Sequence, residues 1–459
     1  MQFTQNKALL IKVTGIWLIL LTCLVVFAAY FNLFEAPRAR LEILTTVNWL
    51  VIVSILILTL PKGIWSICFI FFMAFGIFHG GLVLANSVNG ITDEDILYQI
   101  SWWFDTDETE NAIHLFNLGM IGFSLGALLF SKKLPPVAEE AVNVTVNKRI
   151  FHMGGIILVL MISAFFGVAV VTGAINSYGT YLALLSAVPI LGMVFAYIYL
   201  FIGIGLVLVS VAYRSGFGYW YFAFFAIWAL FAFKLGLRGE VMFPGTVAAC
   251  MLGRRGAPIK SSTLVISIVV FLIATGIVKN ARISGDYSAV DSINPLNAVA
   301  EMGSSLRAVQ EVIKWRKSGD ELLLGASYWA PFERQLALFI PGLHRMSALD
   351  DPRLLNVVVQ ERAGPIGFSP IAEAYYNFGE KGVLLVFFVI GMIMAHFDNQ
   401  PVRLKYDMLL GVSLVPLFIM IRNSFTHVPV QIVIGMVIAM AVLYVANSGI
   451  KHHPHQEPL

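Results

Sequence analysis

The chain has 459 residues, of which 58% are hydrophobic and 12% charged, with 30 Lys and Arg against 27 Asp and Glu for a net charge of +3, and its mean hydropathy is +0.82. A soluble domain carries roughly 25% charged residues to cover its outside, so this composition excludes a soluble globular protein. The small net charge and the lack of a long cationic run exclude a basic nucleic-acid binder.

A helix needs about 20 mostly apolar residues to cross the hydrocarbon core. The sequence predicts about twelve such segments, near 11–31, 43–60, 63–85, 113–131, 151–173, 186–213, 218–237, 240–252, 262–279, 383–397, 408–422 and 428–447. The apolar stretch of the first, Ile16 to Tyr30 after Lys7 and Lys12, resembles a secretory signal but reads as a signal anchor, because more spans follow. The eighth and tenth are short enough to be tilted, broken or partly re-entrant. Continuous apolar runs, rather than period-two alternation, specify helices and not a barrel. Cys23, Cys68 and Cys250 all lie inside apolar runs, where a thiol acts as a small buried hydrophobe. The expected fold is an all-α polytopic membrane protein in three parts: a bundle over 1–279, a helical loop layer over 280–382, and spans ten to twelve with a tail over 383–459.

Basic residues of short loops stay in the cytoplasm. Lys7, Lys12, Lys132, Lys133, Lys148, Arg149, Arg254, Arg255, Lys260, Arg403, Lys405 and Lys451 all fall on one side of a twelve-span chain, and Arg38 and Arg40 are the exceptions. The opposite side receives 86–112, which has seven Asp and Glu and no Lys or Arg. Both termini are therefore expected in the cytoplasm and the long 280–382 loop outside. Within that loop, Asn294-Pro295 reads as a cap followed by Pro at the first helical position. Leu296, Val299, Met302, Leu306, Val309 and Ile313 then recur at three and four, predicting an amphipathic helix that ends near Gly319. A second short helix is expected from about Pro331 to Phe339, stopped by Pro341-Gly342.

Ionisable groups at span ends are the first functional candidates. Lys234 and Arg238, four apart at the outer end of span seven, project from one face; Lys279 and Arg282 leave span nine, and Arg422 caps span eleven. Each alone suits snorkelling to headgroup phosphate. Together, on the face where the positive-inside rule disfavours cations, they make a site for a diphosphate, since guanidinium groups fork onto phosphate oxygens and stabilise charge on a leaving group. No metal cage is apparent. The Gly364–Gly379 stretch adds Ser369, Glu373, Tyr376 and Asn377, which suit sugar hydroxyls, with Glu373 a general base if burial raises its proton affinity. His427 is a second candidate beside Arg422. The same stretch also suits an interfacial helix with belt aromatics. Arg334, His344, Arg345, Arg353, Glu361 and Arg362 add charge to the loop and read mostly as solvated, although Arg334 or Arg362 could stand in for one of the three arginines. His452, His453 and His455 read as an unstructured tail. The Gly122/Gly126 and Gly203/Gly205 pairs read as helix-packing sites rather than phosphate loops.

The run Gly367-Phe-Ser-Pro-Ile-Ala-Glu-Ala-Tyr-Tyr-Asn-Phe-Gly-Glu-Lys-Gly382 resembles the last outer loop of the Wzy-type polymerases of bacterial O-antigens and related surface polysaccharides. So do Leu-Gly-Leu-Arg-Gly-Glu240, Gly325-Ala-Ser-Tyr328, Phe339-Ile-Pro341 and Arg422-Asn-Ser-Phe425, a resemblance that covers about residues 218–430. It implies a GT-C-like inner-membrane glycosyltransferase with no metal or other cofactor. Such an enzyme joins undecaprenyl-diphosphate-linked oligosaccharide repeat units on the periplasmic face, with a chain-length regulator as partner and membrane lipid around it. By position it implies that Arg238, Arg282 and Arg422 hold the diphosphate. Two alternatives stay open: an O-antigen ligase, which passes the same donor glycan to lipid A core, and a secondary transporter, for which twelve spans is a common number. Against the transporter, the charges gather at the outer mouth rather than near the bilayer middle.

Overall fold

The computed structural model describes residues 2–31, 38–132, 143–175, 178–255, 294–340, 342 and 346–448, and every regular element among them is helical. Ten helices precede the loop layer: α1 Gln2–Tyr30, α2 Arg38–Thr59, α3 Ile67–Ser87, α4 Glu94–Ser101, α5 Asp107–Phe130, α6 Val144–Val171, α7 Tyr178–Ala187, α8 Pro189–Ala212, α9 Trp220–Lys234 and α10 Arg238–Arg254. The loop layer holds α11 Pro295–Met302, α12 Leu306–Lys317, α13 Ala326–Leu336 and α14 Leu355–Ala363. Then come α15 Pro370–Asp398, α16 Leu404–Ile419 and α17 Val428–Asn447. Among the described residues, nine helices are long and apolar enough to cross a membrane. They stand at nine of the expected spans. Spans seven and eight are the shorter α9 and α10, of 15 and 17 residues, the second with Pro244 inside it. Expected span nine, 262–279, lies outside the described residues.

The chain forms two compact units, one of Met1–Pro135, Pro258–Pro401 and Pro416–Val430, the other of Pro136–Ala257, Val402–Val415 and Gln431–Leu459. In the first, α5 and α15 meet backbone to backbone. A Cβ on Gly122 would lie 2.4 Å from the Leu384 carbonyl oxygen, one on Gly126 2.1 Å from that of Phe388, and one on Gly391 2.1 Å from that of Phe123. Lipid tails are as apolar as leucine, so close approach and dispersion must replace the hydrophobic drive here, and only glycine permits it. Alongside, the buried Asn117 amide accepts from Asn48 at 3.0 Å and donates to the Thr45 hydroxyl at 2.8 Å, tying α5 to α2. In the second unit, Gly154 and Gly205 bring α6 against α8, where a Cβ on Gly205 would lie 2.9 Å from the Gly154 carbonyl oxygen. Arg254 and Arg255 there share the buried Asp407 carboxylate, at 2.9 and 2.5 Å.

Hydrogen bonds gather the helix ends of the first unit into two groups. At one end Lys12 donates to the Ser131 carbonyl at 2.9 Å, and Asn399 donates to that of Phe130 at 2.8 Å. Asp398 caps the start of α3 there, accepting from the backbone N–H of Ile67 and Cys68 at 2.9 and 3.0 Å and from the Ser66 hydroxyl. At the other end lies Arg38, an exception to the charge rule. It bonds Glu42 of its own helix at 3.0 Å, stands 3.6 Å from Asp105 of the 86–112 segment and covers the Phe104 ring at 4.6 Å, so its charge is matched by acidic neighbours.

The loop layer packs on this second end. The Asn294 side chain caps α11 by accepting from Leu296 N–H at 3.0 Å, as its spacing predicts. The predicted single amphipathic helix is broken into α11 and α12 by a 3₁₀ turn at Gly303–Ser305. The cause is contact: a Cβ on Gly303 would lie 2.0 Å from the Leu82 backbone nitrogen of α3. The second predicted helix begins five residues earlier, at Ala326 after Gly325 (φ +91°), so Pro331 lies within α13 rather than at its start. Arg334 is buried rather than solvated, donating to the Met346 carbonyl at 2.9 Å and to Asp351 at 3.2 Å. Arg353 bonds the same carboxylate at 2.9 Å and Glu333 at 2.7 Å. Burial alone would push the Asp351 carboxyl up, but hydrogen bonds from Arg353 and Arg334 outweigh it and hold the group below the ordinary carboxylate range.

Two expected outcomes follow from this packing. Gly391→Val places a branched side chain where only backbone fits and should cost at least about 2 kcal/mol, read as a lower thermal midpoint of the purified protein. Gly167→Val, at a position with open space around it, should leave the midpoint unchanged. Asp351 has a folded-state affinity for protons below its unfolded one, so its stabilisation is present above about pH 4 and lost as pH falls further. Hydrogen exchange across 346–363 should therefore be flat from pH 8 to about 5 after correction for intrinsic rates and rise on further acidification. Asp351→Asn should show the opened pattern at neutral pH, with a local cost of roughly 3 kcal/mol.

Candidate functional site

The site begins where α15 begins. Ser369 caps the helix, its hydroxyl oxygen accepting from Ile371 and Ala372 N–H at 3.1 and 3.5 Å. The helix bends at Gly379 (φ +70°, ψ −164°). The bend is needed because both helix ends touch α3. Asp398 meets its first residues, while Ser369 meets His79 at 2.7 Å, only about 18 Å further along α3 at 1.5 Å per residue. A straight helix of 29 residues would be about 43 Å long. The stretch 370–378 therefore folds back, and the start of α15 is sunk below the Ser87 end of α3.

That first leg carries Glu373, 1% exposed and at the centre of a hydrogen-bond network. One carboxylate oxygen accepts from the Ser327 hydroxyl at 2.7 Å and the other from Phe425 N–H at 2.7 Å. Asn377, one turn on, donates to Ser327 Oγ at 2.7 Å and to the Glu373 carbonyl at 2.8 Å, while its own side-chain oxygen accepts from Gly325 N–H at 2.9 Å. The Tyr328 ring stacks on Phe378 at 6.1 Å and stands edge-on to Phe425 at 5.6 Å. Three sequence-distant stretches, 325–328, 367–382 and 422–425, thus meet on one carboxylate.

Arg422 ends a 3₁₀ turn, Met420–Arg422, at the close of α16. Its carbonyl accepts from Phe368 N–H at 3.0 Å. Gly367 (φ +75°) allows this approach, since a Cβ there would lie 2.9 Å from the Arg422 carbonyl oxygen. The half-buried Arg422 guanidinium makes no hydrogen bond or ion pair with any described residue. His427 is exposed and bonds Asn356 of α14 at 3.2 Å. Trp329 and Phe332 lie exposed on α13, the second 6.2 Å from Phe425.

Tyr376 points the other way, donating to Asp320 at 2.8 Å. Arg362 bonds the same carboxylate at 2.5 Å and lies over the Trp315 ring at 4.4 Å. That hydrogen bond holds Asp320 below the usual carboxylate range and pushes Arg362 up. Arg334 and Arg362 are thus committed to carboxylates within the loop layer. The hydrogen-bonding groups of Ser369, Tyr376 and Asn377 are likewise engaged by the protein itself, so these residues shape the site from within.

The remaining predicted cations are elsewhere. Lys234 closes α9 and Arg238 opens α10, with Gly236 (φ +73°) in the turn between them, so they flank a turn instead of sharing one helical face. Both belong to the second unit. Lys279 and Arg282 lie outside the described residues. The sequence reading missed His79 and Ser327. His79 was discoverable, as an ionisable residue in an otherwise apolar span; Ser327 lies inside the Gly325-Ala-Ser-Tyr328 motif, but its role depends on residues about 50 positions away. Among the described residues no group of three or more His, Cys, Asp or Glu could hold a metal ion.

The chain is 26% identical over 383 residues to Protein CapE of Staphylococcus aureus, covering 80% of each. No solved structure matches it. The sequence description of the O-antigen polysaccharide polymerase Wzy family matches residues 13–452. With that match running through nearly the whole chain, this membrane protein belongs to the O-antigen polysaccharide polymerase Wzy family.

Proposed function

We propose that this polymerase joins undecaprenyl-diphosphate-linked oligosaccharide repeat units on the periplasmic face. The growing chain moves from its lipid diphosphate to the non-reducing end of an incoming lipid-linked unit. The observation that carries the reading is the Arg422 guanidinium, which has no hydrogen-bond or ion-pair partner among the described residues, beside the buried Glu373 network. Leaving a cation unpaired at the edge of a bilayer is costly, and a diphosphate is the anion this family's lipid-linked substrates would bring there. The prenyl tail lies in the bilayer and the diphosphate at its surface, with Trp329 and Phe332 offering an apolar flank.

In the proposed reaction the acceptor hydroxyl oxygen bonds the anomeric carbon of the donor sugar. The bond from that carbon to the diphosphate oxygen breaks, and its electron pair leaves on the lipid diphosphate. The acceptor proton passes to Glu373 by way of the Ser327 hydroxyl, which already donates to that carboxylate. Arg422 stabilises the charge that grows on the leaving diphosphate, so charge stabilisation does not call for a metal. His427 on the rim contacts the sugar, and a chain-length regulator sets product size.

The test is incubation of the purified protein with a lipid-diphosphate-linked repeat unit, followed by gel and mass analysis for a ladder. Arg422→Ala is expected to lower kcat about 10²- to 10³-fold. Glu373→Gln, which keeps the shape but cannot take the proton, is expected to lower it about 10²- to 10⁴-fold. Both variants should elute as the folded wild type does. A ladder unchanged in both would overturn the reading, and transfer only to added lipid A core would replace polymerase by ligase.

A further inference from the structure

The fold sinks the start of α15 into the interior of the first unit, and this creates a hydrogen-bonding problem. A helix start exposes backbone N–H groups that water would ordinarily satisfy. Here Ser369 is 0% exposed, so its hydroxyl oxygen must accept from Ile371 and Ala372, as it does. Both lone pairs of the hydroxyl are then used. Its proton still needs an acceptor, and the surroundings are apolar: Phe75 packs between Phe116 and Phe387 at 5.4 and 4.7 Å. The acceptor present is His79 Nε2, 2.7 Å away on a side chain that is itself fully buried.

The other ring nitrogen fixes the tautomer. His79 Nδ1 lies 3.1 Å from the Phe75 carbonyl oxygen, which can only accept, so Nδ1 carries the hydrogen and Nε2 the lone pair. The proton chain therefore has one consistent direction: Ser369 hydroxyl to His79 Nε2, and His79 Nδ1–H to Phe75. On the other side of Ser369, the Phe368 N–H is held by the Arg422 carbonyl at 3.0 Å. One turn further along α15, the Glu373 N–H is held by the Ser369 carbonyl at 2.9 Å. The segment 367–369 is pinned between α3 and the Arg422 turn, and Glu373 is indexed from it.

We propose that His79 is a positioning residue for this active site. As the neutral Nδ1–H tautomer it takes the Ser369 hydroxyl proton, and it thereby fixes the buried helix start that sets Glu373 against the Arg422 turn. The kinetic part of this proposal rests on the polymerase reading above; the tautomer does not.

Two measurements test it. Protein labelled with ¹⁵N-histidine should show, for His79, a protonated Nδ1 and an unprotonated Nε2 that accepts a hydrogen bond, and Ser369→Ala should shift the Nε2 signal. In the ladder assay, His79→Leu and Ser369→Ala should each lower kcat at least tenfold with KM for the lipid-linked unit within about threefold. The double variant should be no slower than either single one, because both break the same link. His79→Gln, whose side-chain carbonyl can take the serine proton, should recover part of the loss. A protonated Nε2, additive losses in the double variant, or full activity in His79→Leu would each overturn the assignment. If His79→Leu fails to fold, the labelled wild type and His79→Gln still decide. A wild type that makes no ladder yet shows the Nδ1–H tautomer and the Ser369→Ala shift would sink the polymerase reading and leave the hydrogen-bond assignment standing.

Discussion

The first unit depends on how closely α5 can approach α15. Within a bilayer nothing is gained by hiding leucine from lipid, so two helices hold together only through close contact and polar links. Gly122, Gly126 and Gly391 supply the contact, and each would drive a Cβ into the facing backbone if replaced. Because the fit is backbone against backbone, the axial register of α15 is fixed to within a residue. Everything hung on α15, Glu373 and Asn377 included, inherits that register.

The bend at Gly379 then converts one long helix into two functional parts. Its second leg is a transmembrane post. The first returns into the bundle and carries the Glu373 network to a depth where water cannot repair an error in hydrogen bonding. The buried polar side chains of that leg are accordingly matched: Glu373 to Ser327 and Phe425, Tyr376 to Asp320, Asn377 to Gly325 and Ser327, Ser369 to its own helix and His79. Preorganisation of this kind suits a reaction in which charge is redistributed rather than redox state changed.

Much of this was legible in the amino-acid sequence because some features have local causes. Apolar runs locate the spans, the Gly122/Gly126 spacing marks a packing seam, and Asn294-Pro295 announces a helix start that the structure caps as expected. The motifs around Ser327, Glu373 and Arg422 were also visible as separate stretches. Their meeting was not, since it is created by the fold-back at Gly379, and a glycine in Asn-Phe-Gly-Glu-Lys looks like any other. The break at Gly303 was illegible for the same reason, being caused by Leu82 more than 200 positions away. Lys234 and Arg238 show the opposite failure: a spacing of four implies a shared face only where the helix is continuous, and here it ends between them.

The cap that Asp398 places on α3 has a consequence for how the protein is made. Ser66 and Asp398 are separated by 332 positions in the chain. At about 5–20 residues per second of synthesis, α3 enters the membrane on the order of half a minute before its capping carboxylate exists. During that interval the Ile67 and Cys68 N–H groups must be served by water, by headgroups or by an insertion chaperone. The early spans are thus held in an unfinished state that only the late part of the chain can close. A ribosome that stops short of Asp398 leaves the Ile67 and Cys68 N–H groups without the carboxylate that serves them in the finished fold.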